Sequence, residues 1–288
     1  MASNEQQQVQ TTGHTWDGDL AEYNNPLPQW WVWVFYATVV FSVVYWILYP
    51  AWPVGQHYTE GVLEYSKRAK LQTEMDAVEA GKKYPQRQQA LNNISKMSPA
   101  AILDDPELMN FVNSSGKVLF GDNCAPCHGS GGQGVIGHYP NLTDSDWLYG
   151  GNPQTIHETL VKGRQGYMPA HADKLSEQEI EALATYVGSL AGEDWAEGKT
   201  AMIEQGDKLF HGNKAACYAC HGADAKGNQT LGAPNLTDAI WFYGGKKETV
   251  VATIRDGRGG EMPSWDERLN DNEIKILTAY VHSLGGGQ

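Results

Sequence analysis

The sequence predicts a mostly α-helical chain: one N-terminal transmembrane helix followed by two tandem copies of a small helical domain. Three observations carry that prediction. A window free of charged residues has the length and aromatic ends of a membrane span. A block of sequence recurs at a fixed offset. Apolar residues in the recurring block follow helical spacing, and no run alternates like a strand. With 288 residues there is room for an anchor and two small domains rather than one large core. The formal charge of −13 argues against nucleic acid as a partner and suits a basic protein.

The span comes first. Between Asn24 and Thr59 there is no Asp, Glu, Lys or Arg, and within that window lies WWVWVFYATVVFSVVYWILY, Trp30 to Tyr49. At about 1.5 Å per residue this run covers roughly 30 Å, the hydrocarbon thickness of a bilayer. Trp30, Trp31 and Trp33 gather at one end, and Tyr45, Trp46, Tyr49 and Trp52 at the other, as in the aromatic belts of a spanning helix. A buried core helix rarely carries aromatics at both ends. Nothing basic precedes the run, so a cleavable leader is not expected. The reading is an N-terminal segment 1–29, a span 30–52, and a charged, Gln-rich helical or extended stalk 53–107.

The repeat follows. PNLTDSDWLYGG at 140–151 returns as PNLTDAIWFYGG at 234–245, an offset of 94. Tyr186-Val187 and Ser189-Leu190 return as Tyr280-Val281 and Ser283-Leu284 at the same offset. Two domains, 108–190 and 204–288, are therefore expected, joined by a short acidic connector, 191–203. Each ends in an amphipathic helix. Ser176 with Glu179, and Asn270 with Glu273, have capping-box spacing. Ile180, Leu183, Tyr186, Val187 and Leu190 then mark one face, repeated by Ile274, Leu277, Tyr280, Val281 and Leu284, and Gly285 supplies a stop. Apolar Val118-Leu119-Phe120 and Leu209-Phe210 point to an earlier helix in each domain, packing on the terminal one.

All four cysteines lie in two pentapeptides, CAPCH at 124–128 and CYACH at 217–221. The spacing C-x-x-C-H is a signature of covalent haem c attachment. Two thiols must reach two vinyl groups on one porphyrin edge, and the next residue must project an imidazole to the iron. Zinc would use such pairs together, with histidines closing a tetrahedron. Here the pairs fall in separate repeats, each with its own histidine. A redox dithiol would need neither the histidine nor the duplication. Two haem c groups are thus expected, on Cys124 and Cys127, and on Cys217 and Cys220, with His128 and His221 as axial ligands.

A sixth ligand is on offer in each repeat. Met168-Pro169 lies 40 residues after His128, and Met262-Pro263 lies 41 after His221, in the parallel contexts GRQGYMP and GRGGEMP. A thioether is a soft ligand that raises the iron's potential. Met168 on the His128 haem and Met262 on the His221 haem is the default, because that arrangement needs no docking between domains. A crossed arrangement, each methionine serving the other repeat's iron, is the alternative a duplicated pair permits. Arg164 and Arg258, at matched positions, are candidates for haem propionates. Trp147, Trp241, Tyr149 and Tyr243 are candidates for the pocket walls. His138, His157, His171, His211 and His282 have no repeat partner and are read as surface or haem-rim residues.

With HTWDGDLAEYNNPLPQWW before the span, one span ending in YP, and two CxxCH domains bearing PNLTDxxWxYGG, the chain resembles a known family. It is similar to the dihaem subunit III of cbb3-type cytochrome c oxidases of bacterial inner membranes, some members of which have two spans. The resemblance implies two tandem class I cytochrome c domains behind the anchor. It implies electron entry from a soluble or anchored cytochrome c, and exit through a monohaem subunit to a catalytic subunit that reduces dioxygen and pumps protons. The chain itself would then be non-catalytic. A free-standing dihaem carrier, or a dihaem peroxidase or gas sensor, are the other readings; paired Met-Pro sites argue against the last two.

Placement follows from chemistry. Lys67, Arg68 and Lys70 after the span would put the C-terminal part in the cytoplasm by the positive-inside rule, but that rule weakens for long domains. Bacterial haem c attachment takes place outside the cytoplasmic membrane, so the expectation is a cytoplasmic N-terminus and periplasmic haem domains. From Ser98 to Leu190 there are 4 basic and 11 acidic residues, against 9 and 11 from Glu204 to Gln288. A basic donor is therefore expected to prefer the first domain.

Overall fold

The computed structural model describes residues 10–286 and forms two compact units, divided between residues 83 and 84. In the first, β1 (Thr11–Trp16) and β2 (Leu20–Tyr23) make an antiparallel hairpin. Helix α1 (Gln29–Leu48) follows and buries none of its side chains, as a lipid-facing helix requires. It stops short of the expected boundary. Tyr49 precedes Pro50, whose ring disfavours helical geometry at its neighbour, and Tyr49 is extended (φ −119°, ψ 159°).

The carbonyls left over at that helix end are then met by returning chain. Val62 N–H donates to the Ile47 carbonyl (2.9 Å) and Leu63 N–H to Leu48 (3.1 Å). A two-rung ladder of β3 (Pro53–Val54) and β4 (His57–Tyr58) makes the reversal. Gly61 (φ +73°) sits so close that a Cβ would stand 2.6 Å from the Leu48 carbonyl oxygen. Helix α2 (Lys67–Glu79), capped by the Ser66 hydroxyl, completes this unit.

The second unit is helical. It runs through α3 (Pro85–Lys96), α4 (Pro99–Leu103), α5 (Pro106–Asn123), α6 (Ala125–His128), α7 (Pro153–Lys162), β5 (Arg164–Met168) and α8 (Glu177–Leu190). A 3-10 turn, Asp194–Ala196, leads to α9 (Thr200–His211), α10 (Tyr218–His221), α11 (Lys247–Asp256), β6 (Arg258–Met262) and α12 (Asp271–Ser283). The expected stalk does not extend to residue 107. Ile94 of α3 and Ile102 of α4 are fully buried with Leu108, Val112, Ile276 and Ala279. Both capping boxes are present, on Ser176–Glu179 and Asn270–Glu273.

The pairing of helices corrects the sequence reading. The terminal helix of each repeat does not pack on the earlier helix of its own repeat. Instead α8 lies against α9, and α12 against α5 and α7. At each crossing a glycine admits the partner: a Cβ on Gly206 would stand 2.3 Å from the Ala182 carbonyl oxygen, and one on Gly116 would stand 2.7 Å from Tyr280 Cβ. One turn on, Phe210 packs on Tyr186 (5.5 Å between rings) and Phe120 on Tyr280 (5.6 Å).

The physical cause lies in the connector. Only nine residues separate Leu190 from Thr200, so closing α8 onto α9 costs little chain entropy. The connector is also anchored rather than loose. Trp195 covers Gly188, where a Cβ would overlap its ring, and its indole N–H donates to the Gly245 carbonyl (3.0 Å).

The exchange is closed by two strands that spacing alone did not reveal. β5 and β6 pair antiparallel, with Arg164 opposite Met262, Gly166 opposite Gly260 and Met168 opposite Arg258. Each methionine carbonyl passes over a glycine of the other repeat. A Cβ on Gly163 (φ +70°) would stand 2.4 Å from Met262 O, and one on Gly257 (φ +73°) would stand 2.5 Å from Met168 O. Both the positive φ and the close approach require glycine there.

Candidate haem sites

Two lobes result, each drawing on both repeats. In one, Met262, Trp147 and Leu142 pack against a buried cluster that includes Phe120, Cys124, Ile156, Leu160, Leu269 and Leu277. In the other, Met168, Cys217, Trp241 and Leu236 pack against a cluster that includes Leu183, Phe210, Ala215, Val250 and Ile254. Met262 therefore shares a cluster with the first CxxCH, and Met168 shares one with the second. The uncrossed default does not match this packing.

The histidines are set by the repeated PNLTD motif. His128 Nδ1 lies 2.9 Å from the Pro140 carbonyl oxygen, and His221 Nδ1 lies 3.0 Å from that of Pro234. A carbonyl only accepts, so Nδ1 carries the proton and Nε2 keeps its lone pair. Both rings are buried, which pushes their pKa values below the usual range for histidine. A neutral imidazole with a free Nε2 is the form that binds iron.

The motif holds itself in place locally. Asn141 Oδ1 accepts from the Thr143 backbone N–H (2.9 Å) and hydroxyl (2.7 Å), and Asn235 Oδ1 accepts the same pair from Thr237 (3.0 and 2.8 Å). Such Asx turns fix a loop without a helix or ladder. This role for the motif was invisible in the sequence, where PNLTD marked only the repeat.

In each pentapeptide the first cysteine is the more enclosed and the second is exposed. Burial pushes the Cys124 and Cys217 thiols up to about 11. That disfavours the free thiolate a reactive dithiol needs. Among the described residues, no group of three or more His, Cys, Asp and Glu side chains is gathered as a metal site.

The surrounding polar groups fit haem. Arg164 lies over the Tyr149 ring (4.8 Å) with its Nε–H donating to the Thr159 hydroxyl (2.8 Å). Arg258 repeats this over Tyr243 (4.6 Å) with Thr253 (3.0 Å). The Tyr149 hydroxyl is buried without a hydrogen-bond partner among the described residues, a gap that a cofactor's carboxylate can fill. Trp147 N–H donates to the Asp144 carbonyl (3.1 Å), whereas Trp241 N–H donates to Glu193 of the connector (2.8 Å). Of the two places expected for His171, surface or haem rim, burial removes the surface: the residue is buried, its backbone N–H donating to the Ile254 and Arg255 carbonyls (3.2 Å each). It stands where Trp265 stands in the other repeat.

Comparison with known proteins identifies the family. A family model described as the N-terminal domain of cytochrome oxidase-cbb3, FixP, matches residues 8–56. A second, described as cytochrome c oxidase, cbb3-type, subunit III, matches twice, at 112–187 and 196–281. The chain belongs to the cbb3-type cytochrome c oxidase subunit III family. Within that family it is 46% identical to the cbb3-type cytochrome c oxidase subunit FixP of Azorhizobium caulinodans, over 96% of this chain and 94% of the relative. It is 44% identical to subunit FixP of Sinorhizobium medicae (97% and 96% covered) and 42% identical to subunit CcoP of Cereibacter sphaeroides (96% and 95%). The double match of one family model is the repeat at offset 94, found independently. Membership implies haem c as cofactor and other oxidase subunits as partners.

Proposed function

We propose that this chain is the membrane-anchored dihaem electron-transfer subunit of a cbb3-type oxidase. In this reading it carries one haem c on Cys124 and Cys127 and a second on Cys217 and Cys220. The observation that carries it is the twin arrangement of a proline-held histidine and a methionine brought in by a strand of the other repeat. Haem c supplies a one-electron couple. The protein's part is to keep the iron's surroundings unchanged between oxidation states, so that little reorganises when the electron moves. The β5–β6 ladder would hold the methionines, and the Pro140 and Pro234 carbonyls the histidines, in either state. A methionine thioether held to the iron would leave no open place for peroxide or gas, which favours electron transfer over catalysis or sensing here.

The ligand sets are crossed: His128 with Met262, and His221 with Met168. The shared clusters support this pairing. It is tested in the full chain. With Cys217 and Cys220 replaced by Ala, only the first haem is attached. Met262→Leu should then abolish its thioether-to-iron charge-transfer band and lower its potential, while Met168→Leu leaves both in place. The reverse result would restore the uncrossed assignment.

The haem lobes lie in the periplasm and the N-terminus in the cytoplasm, as covalent haem attachment requires. Electrons enter from a soluble or anchored cytochrome c and leave through a monohaem subunit toward the catalytic subunit. Regrouped by lobe, residues 98–163 with 263–286 carry 4 basic and 11 acidic residues, against 10 and 14 for 164–262. The lobe of His128 is still the more acidic, so a basic donor docks there.

A further inference from the structure

None of the candidate haem residues lies in the N-terminal hairpin, whose construction raises a question of stability. All six residues of β1 and all four of β2 are exposed. A two-stranded hairpin with no packed face is marginal at best in water. Something must cover it for the fold to persist.

Its surface indicates what. Trp16 and Leu20 are cross-strand partners, so they project from one face as an apolar pair, 51% and 61% exposed. Carboxylates surround them: Asp17 and Asp19 in the turn, and Glu22 two residues along on the Leu20 face. Asp17 (φ 48°) and Gly18 (φ 90°) hold the reversal that places these carboxylates beside the pair. From residue 10 to residue 29 there is no Lys or Arg. Only five residues separate Tyr23 from the apolar helix, so the hairpin is held at the bilayer surface.

Two occupants are available there, lipid and protein, and charge separates them. The cytoplasmic leaflet is anionic and attracts basic segments, so it repels three carboxylates. Cytoplasmic loops of multispan membrane proteins carry an excess of Lys and Arg. We propose that the β1–β2 hairpin is a docking element, its Trp16–Leu20 pair seated in an apolar recess rimmed by Lys and Arg on the cytoplasmic face of a multispan subunit of the same oxidase. This rests on the oxidase reading and on the cytoplasmic placement of the N-terminus.

The test uses the full chain in native membranes, with a photoreactive phenylalanine analogue in place of Leu20. Illumination should yield an adduct with an integral membrane subunit, mapping to a segment rich in Lys and Arg. Asp17→Lys with Asp19→Lys should cut the adduct yield on the order of tenfold, since two exposed attractive pairs become repulsive. Adducts with lipid alone, no adduct, or a yield indifferent to the charge reversal would each overturn the proposal. Haem content and oxygen consumption are read on the same membranes. Normal values alongside lipid-only adducts sink the docking element and spare the electron-transfer function. Failure to co-purify with an oxidase sinks that function and the docking with it.

Discussion

Replacing Gly163 by Ala probes the exchange of methionine strands at its tightest point. Two costs arise. An L-residue at φ +70° carries about 1–2 kcal/mol of backbone strain. The new methyl would also stand 2.4 Å from the Met262 carbonyl oxygen, about 1 Å inside ordinary contact at roughly 3.5 Å. Relief requires β6 to move, at an overpacking cost of about 1–3 kcal/mol. The reduced freedom of the unfolded chain offsets roughly 0.4–1 kcal/mol of this.

A net loss of about 2–4 kcal/mol corresponds to a fall in Tm of roughly 5–15 °C for a unit of this size. Gly192→Ala is the control. It has a similar positive φ (+75°) but nothing within 4 Å of the added methyl, so strain acts alone; less the same unfolded-chain offset it leaves about 0–1.6 kcal/mol, a fall of roughly 0–6 °C. Thermal unfolding followed by circular dichroism measures both. The spectrum locates the damage: because Gly163 contacts the Met262 strand, the charge-transfer band should weaken at the His128 haem first. If Gly163→Ala melted no lower than Gly192→Ala, with both haem spectra intact, the close approach would have no energetic meaning and the reasoning would fail.

Three further outcomes are expected. Ile94→Ala should lower stability by about 2–5 kcal/mol, because Ile94 is fully buried among α4, α5 and α12 neighbours; a free stalk would show no change in Tm. Glu179 of the first repeat is held down at about 2 by its hydrogen bond to Lys214 of the second (Nζ–Oε2 2.7 Å). Its depressed pKa means the contribution is present above the unfolded carboxyl's value and disappears as pH falls toward 2. Glu179→Gln keeps the capping box and removes the charge, so the two Tm values should differ at pH 7 and converge on acidification; a constant gap would refute the pairing. Finally, the rate of reduction by a basic cytochrome should fall as salt shortens the Debye length below about 10 Å, and charge reversal at Asp122 should slow it more than reversal at Asp224. Equal effects would remove the preference for the His128 lobe.

The apolar span, the duplication and the candidate haem histidines were legible in the sequence because each is a local property. An uncharged stretch of membrane length, a pentapeptide with fixed spacing and a capping box each report on residues near one another in the chain. The methionines were legible as candidate ligands for the same reason, through matched positions in two repeats. Their partners were not. Duplication makes the two strands and the two terminal helices chemically interchangeable, so no pattern within a repeat distinguishes packing on itself from packing on its copy. The tertiary structure settles the packing through the nine-residue connector, which folds α8 directly onto α9 and wedges Trp195 against Gly188, and through contacts between the repeats, Gly163 and Gly257 each lying beneath the other repeat's methionine carbonyl. Residues 84–107 escaped for a related reason. Their few apolar positions, Ile94 and Ile102 among them, look like a polar stalk until α12 of the distant repeat arrives to cover them. Periodicity reports which face of a helix will be buried; which surface buries it is settled by loop length and close approach between elements far apart in the chain.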